Sequence, residues 1–313
     1  MRLTLLILSG LLLCSAGELS AKGTASPTGK VLIWETTHKD LPGKLYLAGT
    51  LHAAPASLYP LDSTYDRVLQ ESSMIGVEIR DEEMAALPAV IGKYAFFPPG
   101  KKLSDLYSFL DFQKICSFFM KHNTQYTPAA LEQHRPWFLY MNCVQIHLIR
   151  FPDFKTEYGL ENVILRHAPR KEMFSLESVE SQIRTLAQIP DRDSARVLLD
   201  SVADMDKAGK DLDRIMLALK SGNMAPLEEM VNEVRFRYPV FYRNLLSGRN
   251  RQMAEKMMGI LRKRQNVLIL VGAAHFAGDQ SIQEHLKKYG CQLRQLSASG
   301  QKGRISPVSP VKK

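Results

Sequence analysis

The chain has 313 residues, a formal charge of +9, a hydrophobic fraction of 45% and a charged fraction of 23%. These are ordinary globular proportions that argue against general disorder and against a membrane channel, and a chain this long can bury a sizeable core. Part of the charge is local, in a Gly, Ser and Pro-rich tail carrying Lys302, Arg304, Lys312 and Lys313, so the whole-chain value by itself implies no nucleic-acid partner.

In chain order, Met1-Arg2 is followed by an apolar run from Leu3 to Leu13 and by the small residues Ser15, Ala16 and Gly17. That pattern reads as a secretory signal over residues 1–21, cleaved after Gly17 or Ala21. The apolar run is short for a membrane span. Cys14 follows three leucines and opens a lipoprotein alternative, although such a Cys is normally preceded by a small residue and here by Leu13. The expected destination is the periplasm or cell envelope, or secretion, with membrane anchoring only if Cys14 is lipidated. Strands are expected at 31–35 and 45–49, joined by a hairpin turn at Leu41-Pro42-Gly43-Lys44. Asp62 is placed to cap a helix running to Glu71, and a strand follows at 74–79, a crossover that predicts parallel neighbours.

From about 81 to 166 helical spacing dominates, as in Phe112, Ile115, Cys116, Phe119 and Met120, or in Phe138, Met141, Val144, Gln145 and Leu148. Strand patterns return at 172–176, 267–271 and 291–296, with another helical stretch at 191–220. The expected fold is α+β: one domain over 31–296, its central mixed sheet formed by the N- and C-terminal parts and a helical insertion at about 81–166 packed around it. Residues 297–313 are expected to be a disordered basic tail. Arg243, Arg249, Arg251, Lys256, Arg262, Lys263 and Arg264 read as solvated helix surface. Beyond the leader only Cys116, Cys143 and Cys291 remain, so at most one disulfide can form and the core must supply stability.

The most informative feature is a pair of Gly-x-x-His tetrapeptides. Gly49-Thr50-Leu51-His52 and Gly272-Ala273-Ala274-His275 each end an apolar strand-like run, more than 200 residues apart. If the two strands are parallel neighbours, both imidazoles lie on the sheet edge where open α/β sheets place ligands. Glu78 ends a third apolar strand, where a carboxylate is costly unless it ligates a metal, acts as a base or meets a cation such as Arg80. Glu177 follows the strand at 173–176 and fits either a supporting site residue or a helix-start acid. Arg249 and Asn250 continue the apolar stripe of Met253, Met257 and Leu261, where they could steady developing negative charge, or Asn250 could simply cap the helix. His38, His122, His134, His147, His167 and His285 lack paired ligands at useful spacing and read as exposed or core-filling. The chain has no His-Glu-x-x-His, phosphate-loop, Gly-x-Ser-x-Gly or Cys-x-x-Cys motif.

In sequence, Leu47-Ala48-Gly49-Thr50-Leu51-His52, Val77-Glu78, Tyr158-Gly159-Leu160-Glu161, Ser175-Leu176-Glu177-Ser178, Arg249-Asn250 and the Val271 to Gly278 run resemble the TraB/PrgY/GumN family, which includes the Tiki proteases. The likeness runs from about Val31 to Leu296 and is greatest to the bacterial GumN-like branch. Phe276 stands where many relatives carry Leu, and Ser178 where Thr is common. The resemblance implies a mixed sheet with helices and a metal-dependent protease site in which His52, Glu78 and His275 hold a divalent ion (Mn, Co or Zn). Arg249, Asn250 and Glu177 would support it, and the substrate would be a peptide or small molecule. The contrasting expectation is a protein that binds such a ligand in the same cleft without turnover.

Overall fold

The computed structural model describes residues 29–122, 125–204 and 207–307. Their six strands are β1 (Lys30–His38), β2 (Leu41–Thr50), β3 (Met74–Val77), β4 (Glu172–Ser175), β5 (Asn266–Gly272) and β6 (Cys291–Ser297). They form one sheet in the order β4-β3-β5-β2-β1-β6. β4, β3, β5 and β2 are mutually parallel, while β1 runs antiparallel to both β2 and β6. The described helices are α1 (Ser63–Glu71), α2 (Leu87–Tyr94), α3 (Phe109–His122), α4 (Pro128–Glu132), α5 (Pro136–Ile149), α6 (Leu160–Arg166), α7 (Val179–Ala187), α8 (Asp191–Ala203), α9 (Lys207–Ser221), α10 (Ala225–Arg237), α11 (Pro239–Tyr242), α12 (Gly248–Leu261) and α13 (Ile282–Lys288). The fold is α+β, a mixed sheet surrounded by helices, as composition and periodicity indicated. Among the described residues no helix is long and apolar enough to cross a membrane.

β5 is apolar on both faces because it is central: Val267 to Val271 are all buried, and the strand pairs with β3 on one side and β2 on the other. A parallel strand covered on both faces needs no polar alternation. α1 forms where expected, with the Asp62 carboxylate accepting a hydrogen bond from Thr64 N at 2.9 Å. The crossover through α1 makes β2 and β3 parallel but not adjacent, since β5 arrives from 190 residues later in the chain and lies between them. Two helical stretches flank β4, one from α2 to α6 and a second from α7 to α12, so the helical middle extends well beyond residue 166.

Three sequence expectations are corrected. The hairpin turns at Lys39-Asp40, with Asp40 N bonded to His38 Nδ1, and Pro42 and Gly43 lie inside β2. Gly43 is needed for close approach: a Cβ there would come within 2.5 Å of the Lys263 carbonyl oxygen. Residues 297–307 are not a disordered tail. Ser299 N and Gly300 N donate to the Asp62 carboxylate, both at 3.0 Å, Leu61 N donates to Ile305 O at 3.0 Å, and Ile305 is buried. Finally, Arg249 is not solvated surface but 3% exposed. Cys116, Cys143 and Cys291 are buried and form no disulfide among the described residues. The leader expected at residues 1–21, with Cys14, and the tail beyond 307 lie outside the described residues.

Candidate functional site

The parallel pairing of β2 with β5 sets Thr50 opposite Gly272, and that of β3 with β5 sets Val77 opposite Leu270. All three strands therefore end together, and His52, Glu78 and His275 follow those ends directly. They are 5%, 1% and 2% exposed. His275 sits in a single 3-10 turn, Ala273–Phe276, that Trp34 of β1 steadies by stacking on Phe276 at 5.0 Å.

Glu78 is the hub. Its Oε1 accepts from Gly272 N at 2.8 Å and lies 3.7 Å from His275 Nε2. Its Oε2 accepts from Arg249 Nη2 at 2.6 Å and, more distantly, from Gln182 Nε2 at 3.5 Å. Burial alone would raise this carboxyl, but the Arg249 guanidinium, followed by the His275 and His52 rings and the Gly272 N–H, reverses the direction and holds it at about 2. Arg249 also spans to Glu177, with Nε 3.1 and 3.0 Å from its two oxygens and Nη2 2.5 Å from Oε2, while Nη1 donates to Leu245 O at 3.2 Å. Glu177 N donates to Glu78 O at 2.9 Å, so the strand ends of β3 and β4 bring both carboxylates to one guanidinium.

α12 follows a π turn, Arg243–Ser247, and Arg249 and Asn250 lie in the helix's first turn. Asn250 is not a cap. Its Nδ2 donates to Gln280 O at 2.7 Å, which leaves Oδ1 to accept from His275 Nδ1 at 2.5 Å. The proton of neutral His275 is thereby assigned to Nδ1 and the lone pair to Nε2. Burial pushes His275 down to about 3, with Glu78 opposing and Arg249 and His52 adding to the fall.

His52 faces a carboxylate at longer range. Its Nδ1 lies 3.3 Å from Glu161 Oε2, and its Nε2 is buried with no hydrogen-bond partner. α6 delivers Glu161 through a tight contact: Leu160 N donates to Leu51 O at 2.9 Å, and a Cβ on Gly159 would stand 2.2 Å from His52 O. Burial raises Glu161. His52 is raised despite burial, by Glu161 first and Glu78 next. Both groups are thereby shifted toward their protonated forms. A pocket of about 300 Å³, lined by Val77, Ile79, Asp81, Glu82, Glu161 and Arg166 among others, opens beside it.

The structure thus connects the sequence candidates directly or through electrostatic coupling. Glu78, Arg249 and Glu177 form one hydrogen-bonded group, Asn250 bonds His275, whose Nε2 lies 3.7 Å from Glu78 Oε1, and His52 couples to the group electrostatically through Glu78 and Arg249. Most of Arg249's N–H groups and both polar atoms of Asn250 are committed to protein partners, so these two position Glu78 and His275 and are not arranged as free donors. The cation that meets Glu78 is Arg249. Arg80 instead pairs with Glu83 at 2.8 Å. Glu161 and Gln182 carry parts of the site that sequence reading left without a role. The signal was there: each interrupts a buried helical arc, Leu160, Val163 and Ile164 for one and Val179, Ile183 and Leu186 for the other.

The donor chemistry suits a divalent ion in that both rings face an oxygen through Nδ1, the arrangement that orients metal-ligating histidines. Two carboxylates against one guanidinium also leave a buried negative charge. Among the described residues, however, no three His, Cys, Asp or Glu side chains stand together as a formed metal cage.

The family model for the TraB/PrgY/gumN family matches residues 32–295. The chain belongs to this family. The match covers every site residue described above and all six strands apart from the first two residues of β1 and the last two of β6. Neither the comparison with curated proteins nor that with solved structures returned a match.

Proposed function

We propose that this member of the TraB/PrgY/gumN family is an exported metal-dependent hydrolase acting on peptides, nearest to the GumN-like branch and similar to the Tiki proteases. The observation that carries the reading is that Nδ1 of each imidazole faces an oxygen, Asn250 Oδ1 at 2.5 Å from His275 and Glu161 Oε2 at 3.3 Å from His52, while His275 Nε2 lies 3.7 Å from Glu78 Oε1 and His52 Nε2 is buried with no hydrogen-bond partner. His52, His275 and Glu78 would hold Mn, Co or Zn, and the ion would supply Lewis-acid polarisation of the scissile carbonyl.

The chain's own residues have separable tasks. Asn250 keeps the His275 lone pair on Nε2. Gly272 N–H and Arg249 fix the Glu78 carboxylate, and Glu177 holds Arg249 in place. A proton held by His52 or Glu161 borders the pocket and is available to a leaving amine once substrate is seated there. A second reading, binding without turnover, is favoured by the engagement of Glu78 Oε2 with Arg249, which occupies one oxygen of that carboxylate. Export rests on the leader sequence. Intact mass of the envelope protein should show loss of the first 17 to 21 residues or a lipid on Cys14.

The test is metal content by mass spectrometry, peptide cleavage with and without chelator, and a melting curve for wild type and His275→Ala. The expected result is joint loss of metal and cleavage in the variant with the fold retained. Wild type that neither holds nor responds to Mn, Co or Zn would overturn the metal mechanism. Metal-dependent peptide binding without cleavage would select the second reading.

A further inference from the structure

The pocket beside Glu161 has an apolar interior and an acidic mouth. Its inner wall is Val77 and Ile79, at and just past the end of β3 and both buried, with the half-buried Leu165 of α6 and Met173 of β4 completing it. The 3-10 turn that follows, Asp81–Ala86, sets the exposed Asp81 and Glu82 on its rim. Glu161 lines it from α6, 8% exposed, with Oε2 buried and lacking a hydrogen-bond partner. A volume of about 300 Å³ leaves room for one long side chain.

The charge of the lining is negative once partners are counted. Arg80 lines the pocket but donates through Nε and Nη2 to Glu83 Oε1, at 3.0 and 2.8 Å, so a carboxylate of its own answers it. Arg166 is exposed and donates from Nη2 to the Glu157 carbonyl oxygen. Among the described residues no Lys or Arg pairs with Asp81 or Glu82. Even with Glu161 protonated, two carboxylates stand against one guanidinium, and with Glu161 ionised three do. An acidic guest would be repelled, and a wholly apolar one would fill the interior but gain nothing from the rim. A guest with an aliphatic stem and a cationic tip matches both, because the stem covers the buried wall while the tip reaches the carboxylates.

We propose that this is a specificity pocket for a Lys or Arg side chain of the bound peptide, its cationic group meeting Asp81 and Glu82 and its stem lying on Val77, Ile79, Leu165 and Met173. Glu161 lines the pocket and lies 3.3 Å from His52, which seats the selected residue beside the proposed reacting centre. The assignment rests on the reading above that the site takes peptides, and it holds with or without turnover.

The experiment is calorimetric binding to the full chain, with chelator present to hold off cleavage, of end-blocked pentapeptides that are all Ala except for a central Lys, Arg, norleucine or Glu. Wild type should bind the Lys and Arg peptides at least about fivefold more tightly than the norleucine one, the scale of one partly exposed ion pair, and the Glu peptide most weakly. The preference should shrink as salt is raised. Asp81→Asn with Glu82→Gln should bring the Lys and norleucine peptides to within about twofold of each other. Asp81→Lys with Glu82→Lys should favour the Glu peptide, a reversal that loss of the fold cannot produce. Both positions are exposed, and melting curves confirm that each variant folds. No binding of any peptide, equal binding of the Lys and norleucine peptides, or an unaltered preference in the variants would each overturn the proposal. Cleavage is then read separately with metal restored. Selective binding without cleavage supports the pocket and overturns the hydrolase reading, whereas metal-dependent cleavage with no preference for Lys or Arg does the reverse.

Discussion

His147 and His275 are both buried and both pushed down, yet they do different things. His147 lies in α5, 0% exposed, with Nε2 3.1 Å from the Ser201 carbonyl oxygen and the Phe118 ring beside it. Burial, aided by Arg150 and His122 and opposed by the Ser201 carbonyl, takes it to about 4. It is a core histidine, as its lack of a paired ligand in sequence indicated. A folded-state value below the unfolded 6.5 means that this group's contribution is complete above pH 6.5 and is lost as pH falls toward 4. His147→Gln should therefore flatten the acid side of the stability profile by up to about 1.4 kcal/mol per pH unit. Urea unfolding measured at half-unit steps checks it, and an unchanged slope in the variant would show that His147 is not the titrating group. His275, taken down to about 3, adds a slope of the same sign that persists in this variant.

At the scale of elements, the site depends on how closely α6 approaches the end of β2. Gly159 is in contact with the His52 carbonyl, and no side chain fits between them. Gly159→Ala should push α6 away, separate Glu161 from His52 and cost about 1–3 kcal/mol, the usual range for overpacking. The stability loss should come with a downward shift of the limb of the pH profile that reports protonated His52 in any cleavage or ligand binding, because Glu161 is the largest influence raising that ring. Thermal melting and a pH profile of the variant, compared with wild type, measure both. If the pH profile is unmoved, the α6 contact is structural only. The π turn before α12 acts at the same scale: it places Leu245 O within reach of Arg249 Nη1, fixing the guanidinium against its own helix before either glutamate binds it.

At the scale of the whole molecule, the chain closes on itself. β1 and β6, from opposite ends, pair antiparallel, and residues 299–305 then cross the start of α1. Asp62 serves both segments, capping α1 through Thr64 N and accepting from Ser299 N and Gly300 N. A chain ending at Ala298 should lose the burial of Ile305 and these bonds, a destabilisation of about 3 kcal/mol or more. Chemical denaturation of the shortened chain tests this, and an unchanged midpoint would mean that the segment is held without contributing stability. None of the site residues takes part in these closing bonds, so metal or ligand binding should be affected less than the unfolding midpoint.

What the sequence by itself determined was local. Apolar runs ended by Gly placed β2 and β5, Asp62 placed the start of α1, and three strand-terminal residues, His52, Glu78 and His275, stood out because a charge or imidazole at the end of a buried run is costly unless used. Their family pattern was also legible, since each motif is a short local string. The tertiary structure alone decided what lies beside what. That β5 enters between β2 and β3 is a long-range pairing with no local signal. That Arg249 leaves the solvated surface to join Glu78 and Glu177, whose partners are 171 and 72 residues away, follows from the convergence of β3, β4 and α12. The tail shows the same limit: Gly, Ser and Lys near the C-terminus have the composition of disorder, but the Asp62 carboxylate that binds Ser299 and Gly300 and the Leu61 N–H that meets Ile305 O belong to residues more than 200 positions earlier. Composition weighs a segment against water, whereas its actual competitor was a preformed surface of its own fold.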